Sequence, residues 1–430
     1  MIQVPTVSAV VERIGLEPFG DFLTLLGELY PRIQADLHHE RIGDLGLLIH
    51  WAGRTPDRAP LVLMAHFDVV PPGDTDDWSY PPFQGQIAHG NVYGRGALDD
   101  KGPLTILFDA VENLLAAGFT PERDVYLSLG GNEETFGDAA KTIADLLHSR
   151  GVKPWMVLDE GGAITTAPLP FVTGSAAMVG VGEKGLASIR LSAKSAGGHA
   201  SVPPALTAVS RVAKAIMRLT PGTFPAKAPA ALPRMLRSFV PHSSGVGRVL
   251  YRLLAAWPWL TARVFAKLGG EPAAMVRTTI APTMLDGGTA SNVLPAAASA
   301  TLNLRLALGE TVSGTAERLR KRIADPEITV EVIEGNDASP ESPAHGTQFE
   351  LIRAAVSISH PDAVTVPYIT MAATDSRYFH RYCAATYRFA PLMMDAKQRA
   401  SIHGVDEFVA ISELERGESF FRALLERLPA

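Results

Sequence analysis

A histidine and an aspartate stand two residues apart in the segment MAHFDVVP, at the end of an apolar run. On a β-strand this spacing places His66 and Asp68 on one face, so the carboxylate can orient the imidazole. Metal-bound histidines usually have such an outer carboxylate, which fixes the tautomer and raises the basicity of the ring. A histidine at a strand end beside an acidic turn residue has the same spacing. The segment by itself therefore fits both a metal site and a structural turn.

Two acidic pairs leave the same choice open. Asp99 and Asp100 lie in the glycine-flanked loop YGRGALDDKG ahead of a predicted helix, where helix capping explains one carboxylate. A carboxylate has two oxygens, however, and can also bridge two cations. Glu133 and Glu134 follow a predicted strand and would repel each other in a solvated loop. Beside a dication, one can be a ligand while the other holds the attacking water as general base.

The remaining candidates lie in VLDEGG and IHGVDEF. Asp159 and Glu160 stand at the end of a predicted strand, and His403 precedes a glycine near the C-terminus. A single histidine is usually structural. Most of these positions follow predicted strands, however, and ligands of open α/β sheets gather at the carboxyl ends of the strands. Together they favour one shared metal site.

The elements that would position this site alternate along the chain. Apolar runs of strand length and amphipathic stretches of helix length follow each other, with strands at 61–65, 125–129 and 155–158 and helices at 103–117 and 139–149. In the first helix, apolar residues recur every three or four positions and form a stripe that faces a sheet. The alternation predicts an α/β sheet covered by helices.

After Lys184 the pattern changes to alternating strands at 186–194, 301–308 and 328–333, with helices near 205–219 and 311–323. This is typical of a separate α+β unit. We therefore predict a discontinuous catalytic domain, 1–183 and 337–430, with an inserted domain at 184–336.

Composition limits the classes of function. The 430 residues suggest two domains, at roughly 150 residues per domain, and 39 basic against 45 acidic residues give a net charge of −6. No basic block is present, which excludes nucleic acid as an expected partner. Cys383 is the only cysteine, so a disulfide and a thiolate cage are excluded and any metal must be held by His, Asp and Glu.

Two segments concern location. Residues 1–11 lack a basic stretch followed by an apolar run, so we expect no secretory signal and a cytoplasmic protein. The apolar segment 249–268 contains Arg252, Arg263 and Lys267, and its longest uncharged run, 253–262, is half of the roughly 20 residues that a membrane span requires. We expect no stable membrane span. The segment fits a buried or groove-lining pair of helices, and contact with a membrane or a greasy substrate is the alternative.

Eight motifs in order resemble those of the aminoacylase and carboxypeptidase S family of di-zinc metallopeptidases, from about Leu61 to the C-terminus. They are HFDVVP, GRGALDDKG, NEE, LDEGG, SAGGHASVPP, GGTASNVLP, TDSRY and IHGVDEF. LDEGG, TDSRYF and the tail from YRFAP to IHGVDE are most similar to the carboxypeptidase S branch, which includes the N-acyl amino acid hydrolases. The resemblance implies a phosphorylase/hydrolase-like zinc exopeptidase α/β domain with a smaller, inserted ferredoxin-like α+β domain that acts as a lid or in dimerisation.

The resemblance also implies a ligand set. His66 and Glu134 would bind opposite metals, Asp99 would bridge them, and Asp159 and His403 would complete the two sites, with Glu160 as a rival to Asp159. A cis peptide bond is implied after Asp99. Two zinc ions are expected because the donors are nitrogen and oxygen, and cobalt or manganese could substitute.

Roles in catalysis follow from the same resemblance. Glu133 would be the general base, Asp68 would orient His66, and His199 would stabilise the oxyanion, often from a partner subunit, so a homodimer is one expectation. Asn292 and Arg377 would hold the substrate carboxylate, Arg377 by paired, charge-assisted hydrogen bonds.

The expected reaction is cleavage of the amide bond of a peptide or N-acyl amino acid beside a free carboxylate. The apolar segment around Trp257 and Trp259 favours apolar acyl groups. A dipeptidase or N-deacetylase with the same metals is the alternative enzyme, and an inactive binding or scaffold protein on this fold is the alternative of another class.

Overall fold

The computed structural model describes residues 1–135, 137–166, 169–219 and 222–429. Its β-strands are β1 (His38–Ile42), β2 (Gly46–Trp51), β3 (Leu61–His66), β4 (Gln86–Ala88), β5 (Asn91–Tyr93), β6 (Val125–Gly130), β7 (Met156–Asp159), β8 (Ile164–Thr166), β9 (Ser175–Glu183), β10 (Gly185–Lys194), β11 (Gly198–His199), β12 (Thr279–Asp286), β13 (Val293–Leu294), β14 (Ala297–Leu306), β15 (Ile328–Asn336), β16 (Ala363–Thr370), β17 (Thr386–Arg388) and β18 (Phe408–Ala410).

The α-helices are α1 (Val11–Ile14), α2 (Glu17–Leu29), α3 (Pro31–Asp36), α4 (Lys101–Ala116), α5 (Ala139–Ser149), α6 (Ala208–Arg218), α7 (Ala231–Phe239), α8 (Gly245–Ala256), α9 (Pro258–Leu268), α10 (Gly270–Val276), α11 (Val312–Ile323), α12 (Thr347–Ser359), α13 (Ser376–Phe379), α14 (Ala396–Ser401) and α15 (Ile411–Glu426). Short 3-10 turns lie at Ser8–Val10, Thr75–Asp77 and Glu133–Thr135.

A large mixed sheet forms the first domain, in the order β1-β2-β6-β3-β7-β17-β9-β16, with β8 paired to β9. Its centre is parallel, because β3 pairs in parallel with both β6 and β7. Every residue of β3 is buried, as expected of a central strand covered on both faces. Parallel strands of this kind end at one edge, which is where a site is expected.

Helix α4 lies directly after the Asp99–Asp100 loop and packs against β3 and α15. Its predicted apolar stripe is buried, including Leu104, Leu107 and Val111, and so fixes the helix on the sheet. The α/β architecture expected for this domain is confirmed.

The small domain consists of β10, β12, β14 and β15 with α6 and α11. Its antiparallel sheet has the order β12-β14-β10-β15, and the chain follows a βαββαβ path if the helices between α6 and β12 are set aside. This is the ferredoxin-like arrangement that the resemblance implied. Residues of both helices and of the sheet share a core of their own.

Helices α7 to α10, here called the helical unit, lie within 184–336 in sequence but pack elsewhere. Leu232, Leu236 and Phe239 share a core with Ala176 of β9 and Val366 of β16, at the edge of the large sheet. The predicted insertion 184–336 is therefore one segment of sequence that packs in two places.

The chain enters the small domain after β9 and returns to the large sheet after β15, and these two connections lie side by side. Ser339 N donates to Glu183 O at 3.1 Å, and Ser339 Oγ accepts from Glu183 N at 2.9 Å. The Glu183 carboxylate accepts from Arg388 Nε at 3.0 Å, and Arg388 is fully buried. Glu183 also accepts from the backbone and hydroxyl of Thr374 at 3.1 and 2.9 Å. The Glu183 carboxylate thus links the connection between the two domains to Thr374 and Arg388 of the large domain.

Within the described residues, no helix is both long enough and apolar enough to cross a bilayer.

We expect Glu183→Gln to lower the free energy of unfolding by about 3 kcal/mol or more, because Arg388 would keep a buried charge without its partner. Urea denaturation measures this change. Glu317→Gln is the control, since Glu317 pairs with Arg320 and Lys321 on an exposed surface and its loss should cost less than about 1 kcal/mol. Equal midpoints for the two variants would contradict the prediction.

Candidate metal centre

Three central strands of the large sheet deliver the predicted acidic and histidine residues to one edge. His66 is the last residue of β3, Asp159 is the last residue of β7, and Glu133 and Glu134 form the 3-10 turn that follows β6. The strands are parallel neighbours, so their carboxyl ends lie together. Local strand patterns separated by tens of residues therefore converge on one cluster.

Asp99 lies between two imidazoles. Its Oδ1 is 2.9 Å from His66 Nε2, and its Oδ2 is 3.1 Å from His403 Nε2. Glu134 Oε2 is also 3.1 Å from His403 Nε2. His66, Asp99 and Glu134 each offer one ligand atom within 4.8 Å of the others. The two oxygens of Asp99 thus face two different imidazoles.

Asp68 connects His66 to the Glu133–Glu134 turn. Its Oδ1 is 3.3 Å from His66 Nδ1, and its carboxylate oxygens accept from the backbone N–H groups of Glu133 and Glu134, each at 3.1 Å. With Nδ1 directed at Asp68, Nε2 is the ring nitrogen that faces Asp99. The contact has the geometry that the spacing of His66 and Asp68 predicted.

Glu407 holds the loop that carries Asp99. Its carboxylate accepts from the backbone of Leu98 at 2.7 Å and of Asp99 at 3.1 Å, and pairs with Arg95 at 2.7 Å. The peptide bond from Asp99 to Asp100 is cis, as the resemblance implied. Glu407 stands in the quoted motif IHGVDEF, but sequence reasoning gave it no role, because its partners are about three hundred residues away.

Asp159 and Glu160 differ in what surrounds them. Asp159 Oδ2 accepts from Ser376 N at 2.7 Å, and the carboxyl lies near Arg388. The Glu160 carboxyl is surrounded by acidic groups, chiefly Asp99 and then Asp159, and burial together with these charges raises its pKa well above the usual value. Asp159 is thus held by backbone N–H groups, whereas Glu160 faces the carboxylates of the centre.

Negative charge accumulates in this centre. Burial raises the pKa of Glu133 well above the usual range, and the neighbouring carboxylates add to the effect. Burial lowers the pKa of His66, but hydrogen bonds to Asp68 and Asp99 outweigh it and the net direction is strongly upward. Hydrogen bonds to Asp99 and Glu134 raise the pKa of His403 to about 10. A cluster of buried carboxylates with these pKa shifts favours the binding of a cation among them.

The donor set fits divalent metal ions. The ligand atoms are imidazole nitrogens and carboxylate oxygens, the set that zinc accepts in the absence of thiolates. Glu134 Oε1 is buried and has no hydrogen-bond partner in the described part of the chain. A buried oxygen of this kind requires a partner, and a cation beside Glu134 would be one.

Arg377 lies at the border of the centre. Its guanidinium donates to Thr374 O at 2.9 Å and to the Tyr378 hydroxyl at 3.1 Å, and lies 3.7 Å from Asp375 Oδ1. Burial raises the pKa of Asp375 to about 7, although the positive charge of Arg377 acts to lower it. Asp159, His66 and Asp68 are also close enough to influence this pKa. Sequence reasoning missed Asp375, although it stands in the quoted motif TDSRY.

His199 and Asn292 lie on the small domain, away from this cluster. Both are exposed, on or beside the short strands β11 and β13. The ring nitrogen Nδ1 of His199 accepts from Ser201 N at 3.1 Å, and the backbone carbonyl of Asn292 accepts from Ala200 N at 3.1 Å. Within the described ranges, neither residue contacts His66, Asp99 or His403. The two residues lie next to each other, and within the described ranges no hydrogen bond or ion pair links either of them to the metal centre.

The model of Peptidase family M20/M25/M40 matches residues 62–427. A protein of Danio rerio named N-fatty-acyl-amino acid synthase/hydrolase PM20D1.1 is 34% identical over 99% of this chain and 84% of its own length. Carboxypeptidase S of Saccharomyces cerevisiae is 28% identical over 89% of this chain and 74% of its own length. The M20 family metallo-carboxypeptidase Sso-CP2 of Sulfolobus solfataricus has a similar fold, with a TM-score of 0.71 at 16% identity over 100% of this chain and 97% of its own.

The fold, the donor cluster and these likenesses agree. The chain belongs to Peptidase family M20/M25/M40 and is a metal-dependent hydrolase of amide bonds.

Proposed function

We propose that this chain hydrolyses the amide bond of an N-acyl amino acid beside its free carboxylate, with two zinc ions that share Asp99. The position of Asp99 carries the proposal, because each of its oxygens lies within about 3 Å of a different imidazole. Such a carboxylate can bridge two cations without moving.

The donors divide between two sites. His403 and Glu134 lie 3.1 Å apart on one side of Asp99 and would hold one metal. His66 lies on the other side and would hold the second metal with Glu160. The surroundings favour Glu160 over the predicted Asp159, because Asp159 already accepts backbone hydrogen bonds whereas Glu160 faces Asp99.

Bound dications at these positions would polarise the substrate carbonyl and lower the pKa of a water. Glu133 would take the proton of that water and return it to the leaving amine. Its side chain is 8% exposed, and its backbone is held by Asp68. A pKa raised by burial suits a base that must later return the proton as an acid.

Part of the surroundings of Gly161 and Gly162 fits an apolar acyl group. These two residues follow Glu160 and line a cavity of about 250 Å³, whose wall combines Met178, Met235 and Met275 with Glu271 and Arg399. Methionine side chains adapt to apolar ligands of variable shape. The name of the zebrafish relative includes N-fatty-acyl-amino acid, which agrees with this assignment.

The substrate carboxylate and the oxyanion would be bound from both domains. Arg377 lies beside the metal centre and would pair with the carboxylate, whereas Asn292 and His199 would approach on the small domain. We propose that His199 reaches the centre from a second copy of the chain, in a homodimer. Its exposure, and the absence of a hydrogen bond to His66 or His403 within the described part of the chain, support this proposal.

A dipeptidase of the same family would use the same centre. The three methionines of the cavity and the name of the zebrafish relative together favour the N-acyl substrate. An inactive scaffold would not require Glu133. That carboxylate is kept beside the donor cluster, which supports catalysis.

Purified protein loaded with zinc should hydrolyse N-acyl amino acids, lose this activity with a chelator such as phenanthroline, and regain it when zinc is restored. Glu133→Gln should keep its metal, measured by elemental analysis, while kcat falls by about 10²–10⁴-fold because the general base is absent. Activity that survives chelation, or wild-type rates in Glu133→Gln, would contradict the proposal. Hydrolysis of dipeptides alone would favour the dipeptidase.

Glu160→Gln should lower the metal content from about two ions per chain to about one, whereas Asp159→Asn should keep both, because an amide oxygen can still accept from Ser376 N. Elemental analysis after dialysis measures both variants. The reverse result would assign Asp159 as the ligand and contradict the preference for Glu160.

Mixing two inactive variants tests whether His199 acts between subunits. His199→Ala should lower kcat by about 10²–10³-fold through loss of an oxyanion donor. If His199 acts on the partner's site, a mixed dimer of His199→Ala and Glu133→Gln contains one complete site, and mixing should restore part of the activity. No recovery after verified subunit exchange would place His199 on the site of its own chain.

A further inference from the structure

The outward face of α8 is apolar. Val246, Val249, Leu250 and Leu253 recur every three or four residues and are all exposed, with Val246 77% exposed. The inward face carries other apolar residues, such as Leu254, which is buried in the core of the helical unit. The helix therefore has two apolar faces, and the fold uses only one.

The exposed apolar surface continues beyond α8. Trp257 and Trp259, at the junction with α9, are 48% and 67% exposed, and Leu268 at the end of α9 is 67% exposed. Phe171 is also exposed and lies against Gly247, so close that a side chain at Gly247 would overlap its ring. We call this surface the hairpin face, and its members are Phe171, Val246, Val249, Leu250, Leu253, Trp257, Trp259 and Leu268.

The same two helices carry only positive charge. Arg248, Arg252, Arg263 and Lys267 are exposed, and residues 245–270 contain no aspartate or glutamate, in a chain whose net charge is −6. None of the four forms an ion pair within the described ranges; Arg248 Nε donates to the carbonyl of Ser243 at 3.1 Å. The hairpin formed by α8 and α9 therefore carries unpaired positive charge beside the hairpin face.

Monomeric proteins rarely leave an apolar surface of this kind uncovered, so a partner is expected. Exposed tryptophans with flanking arginine and lysine are typical of helices that lie in the interface of a bilayer, where indole rings sit at headgroup level and basic side chains meet anionic lipids. We propose that α8 and α9 dock in the plane of an anionic lipid surface through the hairpin face.

Docking on lipid would not require the proposed substrate, but it would affect how that substrate reaches the site. The chain continues from α9 directly into α10, whose Met275 lines the cavity beside Gly161 and Gly162. Docking through the hairpin would hold this cavity close to the lipid surface. N-acyl amino acids are amphiphiles and would concentrate in the same surface.

The test uses the full chain with vesicles of pure phosphatidylcholine and vesicles that also contain phosphatidylserine. The readouts are flotation with the vesicles and tryptophan emission. Among the five tryptophans, Trp51 and Trp78 are buried and Trp155 is half-buried, so the exposed Trp257 and Trp259 dominate the response. We expect binding to the anionic vesicles with a blue shift in emission, and weaker binding at high salt.

Two double variants separate the contributions. Trp257→Ser with Trp259→Ser should abolish flotation, and Arg252→Glu with Arg263→Glu should weaken it by roughly fivefold or more for each charge changed. Met284→Ser with Leu285→Ser is the matched control, because both side chains are 68% exposed on β12 of the small domain. Circular dichroism checks that each variant is folded.

Selective loss of flotation in the two hairpin variants, with the control unchanged, would support the proposal. The absence of flotation with either vesicle, or equal flotation for all variants, would overturn it. A third outcome would also overturn the proposal. If the wild-type protein does not bind lipid, and its molecular mass in solution is that of a dimer and falls to that of a monomer only in the tryptophan variant, the hairpin face is a contact between two copies of the chain.

Discussion

The position of the Asp99 carboxylate between two imidazoles is the constraint on which this molecule depends. Asp99 lies on a loop, not on a strand, so its place must be imposed by its neighbours. Glu407 does this from the opposite end of the sequence, because it accepts the backbone N–H groups of Leu98 and Asp99 while Arg95 balances its charge. The buried Arg95–Glu407 ion pair thus positions the Asp99 carboxylate through backbone hydrogen bonds alone.

Asp68 has a comparable role on the other side of the centre. One carboxylate contacts both the ring of His66 and the backbone of the Glu133–Glu134 turn, so the same residue positions the proposed metal ligand and the proposed base. An error in the turn would therefore also disturb the histidine. This coupling explains why the chemistry is concentrated at the ends of three adjacent parallel strands, which are rigid supports.

Much of this could be predicted from the sequence, because periodicity and strand ends are local properties. Helix α5 begins and ends at the predicted residues, and His66 meets Asp68 as the two-residue spacing indicated. The choice between Asp159 and Glu160 could not be predicted, since adjacent acids at a strand end differ only in what the tertiary fold places opposite each. The packing of 249–268 was also ambiguous, because α8 is apolar on two faces and the sequence does not say which face is inside.

The two places where the inserted segment packs have a consequence for the evolution and engineering of this chain. The helical unit is encoded within the small domain but covers Ala176 of β9 and Val366 of β16. Excision of the whole insertion would therefore expose these apolar side chains of the large sheet to water and favour aggregation. A minimal version of the enzyme that kept the catalytic sheet soluble would have to retain α7 to α10, joined by a new linker, even if it dispensed with the ferredoxin-like sheet.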